Sequence, residues 1–231
     1  MKNQIQSFNI PLASLIALLA IQPMVQSAVI YSQTFNDEAG WGYLVGTAPT
    51  VGTGTWAGPS IDARLNGMML SAWGMAALPF TPEAGKVYTL TASFTALPSD
   101  VGTARFGFTK GDANQDEFIL NNAAAILDYG NNSQAQSWPA PWVDGPGAVG
   151  VMKIVLDTTA SKWTASYFSN ASETTPFNTH TYTTNPTINY VGFGNDSNAG
   201  TITAFKLEAV PEPASLALLG LGTLVLLRRR R

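Results

Sequence analysis

The sequence predicts an all-β fold, an antiparallel sandwich of two sheets, over residues 28–209. Three observations predict it. Apolar and polar residues alternate in segment after segment, which turns one side of each segment to a core and the other to solvent. Clusters of Gly, Asn, Asp, Thr and Ser punctuate those segments, and such residues supply the positive φ angles and side-chain caps of turns. The composition agrees: charged residues are 12% of the chain, against roughly 25% in an average soluble protein, while Gly numbers 21 and Pro 14. No stripe of helical period competes in this region.

The elements follow in order. Residues 1–27 open with Lys2, a polar stretch and the apolar run "LASLIALLAI" at 12–21, which ends before Pro23. A run of about ten residues suits a secretory signal, whereas a bilayer-spanning helix takes about 20. Val25 and the small Ser27 suit signal peptidase, so the cut is expected between Ser27 and Ala28, with the bond after Ala28 as the alternative. Signal peptidase and the export translocon are therefore expected partners.

Strands are expected near 29–35, 86–97, 103–109, 117–121, 149–157, 162–168, 179–184, 188–194 and 201–210. In "KVYTLTASFTAL" (86–97), Val87, Thr89, Thr91 and Ser93 share one face and Tyr88, Leu90, Ala92 and Phe94 the other. "TTAS" (158–161) reads as a hairpin turn, "NDSNAG" (195–200) as a second strand connection, and "TPEAG" (81–85) as the turn before a strand. Many short strands without helices make a sandwich or jelly roll. Cys is absent, so the core is held by burial alone.

The last 22 residues, 210–231, change character. "ASLALLGLGTLVLL" (214–227) is apolar throughout, and Arg228, Arg229, Arg230 and Arg231 follow directly. Arginines stay on the cytoplasmic side, so this segment is expected to be a short transmembrane helix that stops transfer with the body outside. Arginine stems can snorkel to make up the missing length. Gly220 and Gly222 thin the helix surface for packing against another membrane helix. Pro211 and Pro213 around Glu212 remove two backbone donors and hold the chain extended. Residues 209–213 thus read as a short linker open to an enzyme's cleft.

Pro211, Glu212, Pro213, the apolar run and the arginine cluster, in that order, closely resemble the PEP-CTERM sorting tail read by membrane-embedded cysteine transpeptidases called exosortases. The resemblance implies an exported protein anchored transiently in the inner membrane, then cut near Pro211–Pro213 and passed to the cell surface or released. It also implies an exopolysaccharide-producing, Gram-negative-type bacterium. "GTGTWAGPS", "LPFTPEAGKVYTLTASF", "KIVLDTTASKWTASYF" and "INYVGFGN" are similar to the LamG-like jelly-roll bodies that often carry this tail. That likeness implies a fold and names no catalytic residue.

Residues 28–209 hold seven basic against fourteen acidic residues, without the basic stripe that phosphate backbones require, so nucleic acid is excluded as a partner. His180 is the sole histidine, in a Thr-rich strand, which leaves no nucleophile-histidine pair to build on and no His/Cys metal site. "GDANQDEF" (111–118) sets Asp112, Asn114 and Asp116 at alternate positions, the first half of a calcium loop. It departs from that loop at Glu117, where Gly belongs, and at Ala123, where a bidentate Glu belongs. A polar turn is the default there, as are solvated acids for Asn36, Asp37 and Glu38. Asp116 and Glu117 are adjacent and, on a strand, would point to opposite faces, so they cannot flank one glycosidic bond.

Tryptophans offer a different chemistry, since an indole face can stack on a sugar. Trp138 and Trp142 in "SWPAPW" lie in a Pro-rich loop, while Trp41, Tyr43, Trp56 and Trp73 lie in or beside Gly-rich ones. Trp163 is expected on a strand and in the core. Burial over the sandwich edge competes with glycan stacking for the loop pair. The sequence therefore predicts a non-enzymatic matrix protein without a required cofactor, its role structural or adhesive and linked to exopolysaccharide. A glycan-binding module using Trp138 and Trp142 is the alternative, and an envelope glycoside hydrolase a distant third.

Overall fold

Twelve strands run through the described residues: β1 (Ala28–Thr34), β2 (Met68–Met69), β3 (Met75–Pro79), β4 (Lys86–Thr95), β5 (Thr103–Thr109), β6 (Ala124–Asp128), β7 (Trp142–Asp144), β8 (Gly150–Asp157), β9 (Thr164–Phe168), β10 (Asn178–Thr181), β11 (Tyr190–Asn195) and β12 (Thr201–Pro211). The computed structural model describes residues 27–35, 44–59, 68–69, 74–95, 103–113, 118, 124–128, 142–144, 150–195 and 201–211. All of these belong to one compact unit, Ser27–Glu212. Residues 1–26 of the expected export signal and the apolar run 214–227 lie outside them, and among the described residues no helix is long and apolar enough to cross a membrane.

The strands form two sheets. One follows the order β1-β12-β4-β8-β9-β10, with β2 also paired to β12; the other follows β3-β11-β5-β6-β7. Pairing is antiparallel except between β6 and β7, which run parallel. The predicted alternation decides which residues meet between the sheets. Tyr88, Leu90, Ala92 and Phe94 of β4 are buried, as are Met152, Ile154 and Leu156 of β8 and Phe205, Leu207 and Ala209 of β12. They pack with Leu78, Phe106, Phe108, Val191 and Phe193 of the second sheet in one hydrophobic cluster. This is the all-β sandwich the sequence predicts.

Several expectations need correction. Phe118, expected inside a strand at 117–121, is a buried helical residue, and the next strand is β6. Phe118 packs with Met75, Ala77 and Ala124 in a second cluster. Ala76 and Leu78 instead join the main core, so β3 is covered on both faces. Trp56, expected in a loop, is in a loop but fully buried: its ring lies 5.3 Å from Phe193 and 5.5 Å from Phe205, one on each sheet. Trp163 directly precedes β9 and is only partly buried against the core. The connection at 195–200 joins two strands as expected, β11 and β12, and these belong to different sheets.

Turn chemistry fits the expectation elsewhere. β8 and β9 pair antiparallel around 158–161, and Asp157 Oδ1 caps that turn by accepting from the Thr159 amide at 2.8 Å and hydroxyl at 2.6 Å. Gly85 closes the turn before β4 at φ 81°, a conformation open to glycine at little cost.

Candidate processing site

The sorting motif does not begin on a free linker. β12 runs on through Ala209, Val210 and Pro211, whose partners on β4 are Tyr88, Val87 and Lys86. This corrects the linker expected at 209–213: Ala209 is buried, and the first proline of the motif is the last residue of the strand. The reason is the alternation itself, because Phe205, Leu207 and Ala209 extend one core-facing row to the strand's end. A proline fits there, since the terminal position of a strand needs no further donor. Glu212, Pro213 and Arg228 to Arg231 lie outside the described residues.

β12 is an interior strand at this end. On its other side β1 pairs Ala28 with Ala209 and Val29 with Glu208. Ala28 is also the residue that follows the expected signal-peptidase cut, and its partner Ala209 lies two residues before Pro211. The Ser27 hydroxyl donates to Glu208 Oε1 at 3.1 Å, and the same oxygen accepts from Lys206 Nζ at 2.8 Å. Both contacts are partly exposed; the first ties the β1 end to β12 and the second lies within β12, so together they hold the two strands only weakly.

A buried hydroxyl clasps the β4 side of this end. Thr158, 1% exposed, accepts from the Lys86 amide at 3.1 Å and lies 2.7 Å from the Glu83 carbonyl and 2.8 Å from the Lys86 carbonyl. Its single proton serves one of those carbonyls at a time. Backbone bonds from Gly85 N to Thr158 O and from Thr158 N to Lys86 O, each 2.9 Å, complete the clasp. The Glu83 amide donates to Tyr88 Oη at 2.7 Å, and Glu83 and Lys86 form an ion pair at 2.8 Å. That side-chain hydrogen bond raises the Lys86 pKa, and burial raises the Tyr88 hydroxyl's. Sequence reasoning missed Thr158; the available signal was a threonine opening the "TTAS" turn, and only the fold brings it to "TPEAG".

The other candidate residues are not brought together. Trp142, expected in a loop, lies in β7 opposite Ile126 of β6, and Trp138 is outside the described residues. Asp112 is half-buried just beyond β5, whereas Asn114 and Asp116 are outside the described residues, as are Asn36, Asp37 and Glu38. Among the described residues no group of three His, Cys, Asp or Glu side chains could hold a metal ion. His180 lies on β10, half-buried rather than exposed, with its ring 4.6 Å from that of Tyr182.

Comparison with known proteins singles out the same end of the chain. The PEP-CTERM protein-sorting motif matches residues 209–231. The match takes in the last three residues of β12. The chain thus carries the tail of an exported, exosortase-processed protein. No curated protein matches the chain. In structure it is similar to an endo-1,3-β-glucanase from Streptomyces sioyaensis, with 12% identity and a TM-score of 0.48 over 84% of this chain and 100% of that one. It is similar also to basic winged bean lectin, with 13% identity and a TM-score of 0.40 over 81% of this chain and 100% of that one. A third similar structure is lectin II from Ulex europaeus, with 12% identity and a TM-score of 0.38 over 71% of this chain and 94% of that one.

Proposed function

We infer that the protein is a non-enzymatic structural or adhesive component of an exopolysaccharide-rich extracellular matrix, delivered there by its sorting tail. The observation that carries this reading is the motif match over residues 209–231, which begins inside the sandwich's own strand. The apolar run anchors the body on the outer side of the inner membrane, with the four arginines inside. An exosortase then breaks a backbone amide near Pro211–Pro213. The body's acyl group passes through the enzyme's cysteine to water or an amine acceptor, and the tail departs with a new amino terminus. A chain with one histidine and no cysteine supports a role in assembly over catalysis.

Replacing Glu212 with Ala tests the route. The variant should remain in the membrane fraction at its full mass while the wild type is recovered without its tail, and equal release of both would remove the exosortase from the account. Glycan association is tested by affinity electrophoresis against a panel of polysaccharides. A matrix scaffold without a dedicated sugar site migrates unretarded in every gel. Retardation that Trp138→Ala and Trp142→Ala together abolish would make those indoles a binding platform.

A further inference from the structure

We propose that the end of β12 gates its own processing: the sheet and the exosortase compete for the same residues, and the cut follows local opening of the strand. The inference rests on the exosortase reading above and adds the control of that step. A peptide-cleaving enzyme takes its substrate extended, with backbone amides and carbonyls on both sides of the scissile bond free to bind the cleft. Here the residues upstream of the motif are not free. Glu208 and Ala209 are paired on both sides, to β1 and to β4, and Val210 and Pro211 are paired to β4. Ala209 is also seated in the core.

Spacing sharpens the conflict. Only Glu212 and Pro213 separate the last strand residue from the apolar run that begins at Ala214. The lowest-cost opening is at this terminus, where the ladder ends in a residue without an amide donor and the side-chain tie to the neighbouring strand, from Ser27 to Glu208, is a partly exposed hydrogen bond. Opening the last register pairs frees Glu208 to Pro211 without disturbing Phe205 and Leu207 deeper in the core.

The absence of cysteine makes the test direct. Val87 and Val210 are register partners, so Val87→Cys with Val210→Cys places two thiols where a disulfide would pin β12 to β4. The full-length double variant is expressed in cells carrying the exosortase, and tail removal is followed by mass with the disulfide oxidised or reduced. Oxidised protein should lose its tail at least ten-fold more slowly than the same protein reduced, Val87→Cys alone should match wild type, and reductant should return the double variant to the rate of Val210→Cys alone. A six-residue Gly-Ser spacer between Val210 and Pro211, about 20 Å when extended, should restore release even in the oxidised form, which separates lost access from misfolding. Wild-type release from the oxidised double variant overturns the gate and leaves the exosortase reading intact. Equal release of Glu212→Ala and wild type, run alongside, overturns both.

Discussion

Thr158→Val is the perturbation that reports most directly on the clasped end of the sheet. Valine keeps the shape of the side chain and removes its hydroxyl. The bond accepted from the Lys86 amide at 3.1 Å disappears, together with the one donated to the Glu83 or Lys86 carbonyl at 2.7 or 2.8 Å. The two carbonyls retain partners, Tyr88 Oη at 3.4 Å and the Thr158 amide at 2.9 Å. The amide of Lys86 loses its acceptor at a site where Thr158 is 1% exposed. One lost donated bond at about 1 kcal/mol and one stranded amide at about 1 kcal/mol sum to about 2 kcal/mol. In a body of this size that lowers Tm by about 4–8 °C. Thermal unfolding followed by far-ultraviolet circular dichroism measures the shift, and Thr158→Ser, which keeps the hydroxyl, should recover most of it. Hydrogen exchange adds the local reading, with the amides of Lys86 and Val87 exchanging faster in the Val variant. A Tm within about 1 °C of wild type would refute the clasp. If the gate operates, the same variant also loses its tail faster.

Two further outcomes follow from the core. Trp56→Ala removes a ring held 5.3 Å from Phe193 and 5.5 Å from Phe205; it should cost about 3–5 kcal/mol in urea unfolding, and a loss below about 1 kcal/mol would place the indole outside the packed interface. Burial raises the pKa of Tyr31, Tyr88, Tyr167 and Tyr182 above the ordinary tyrosine value. Their contribution to stability is complete below the unfolded value of about 10 and is lost as pH rises through the higher folded values. Unfolding free energy should therefore fall between about pH 9 and about pH 12, with Tyr182→Phe flattening the decline, and an unchanged slope in that variant would count against it.

How legible the fold was depends on how each strand is buried. β4 and β8 face solvent on one side, so their sequences alternate and were readable to within a residue or two. β3 was not, because Met75 and Ala77 meet Phe118 on one face while Ala76 and Leu78 meet the main core on the other. A strand covered twice has no polar phase, and "MAALP" shows none. Trp56 was placed correctly in a loop by the glycines around it, while its burial was not legible, because a loop that closes the space between two sheets buries whatever large ring it carries. The sorting motif was legible as chemistry and misplaced as geometry. Two prolines do forbid a helix, yet the core-facing row of β12 continues through Ala209 and draws the first proline into the sheet.

That placement ties folding to export. β12 is the last strand in the chain and lies between β1, the first, and β4. Among the described residues, β1 without β12 keeps only the bridge from Ser32 to Val51, and the core lacks Phe205, Leu207 and Ala209. A sandwich assembled from its first eleven strands would leave the exposed faces of β1 and β4 unjoined, a geometry prone to wrong pairing. The core is therefore complete only once the chain through residue 211 is in place, with the run at 214–227 next in sequence. The match to the sorting motif begins at residue 209, inside that closing strand, so the step that completes the core and the proposed processing step draw on the same residues.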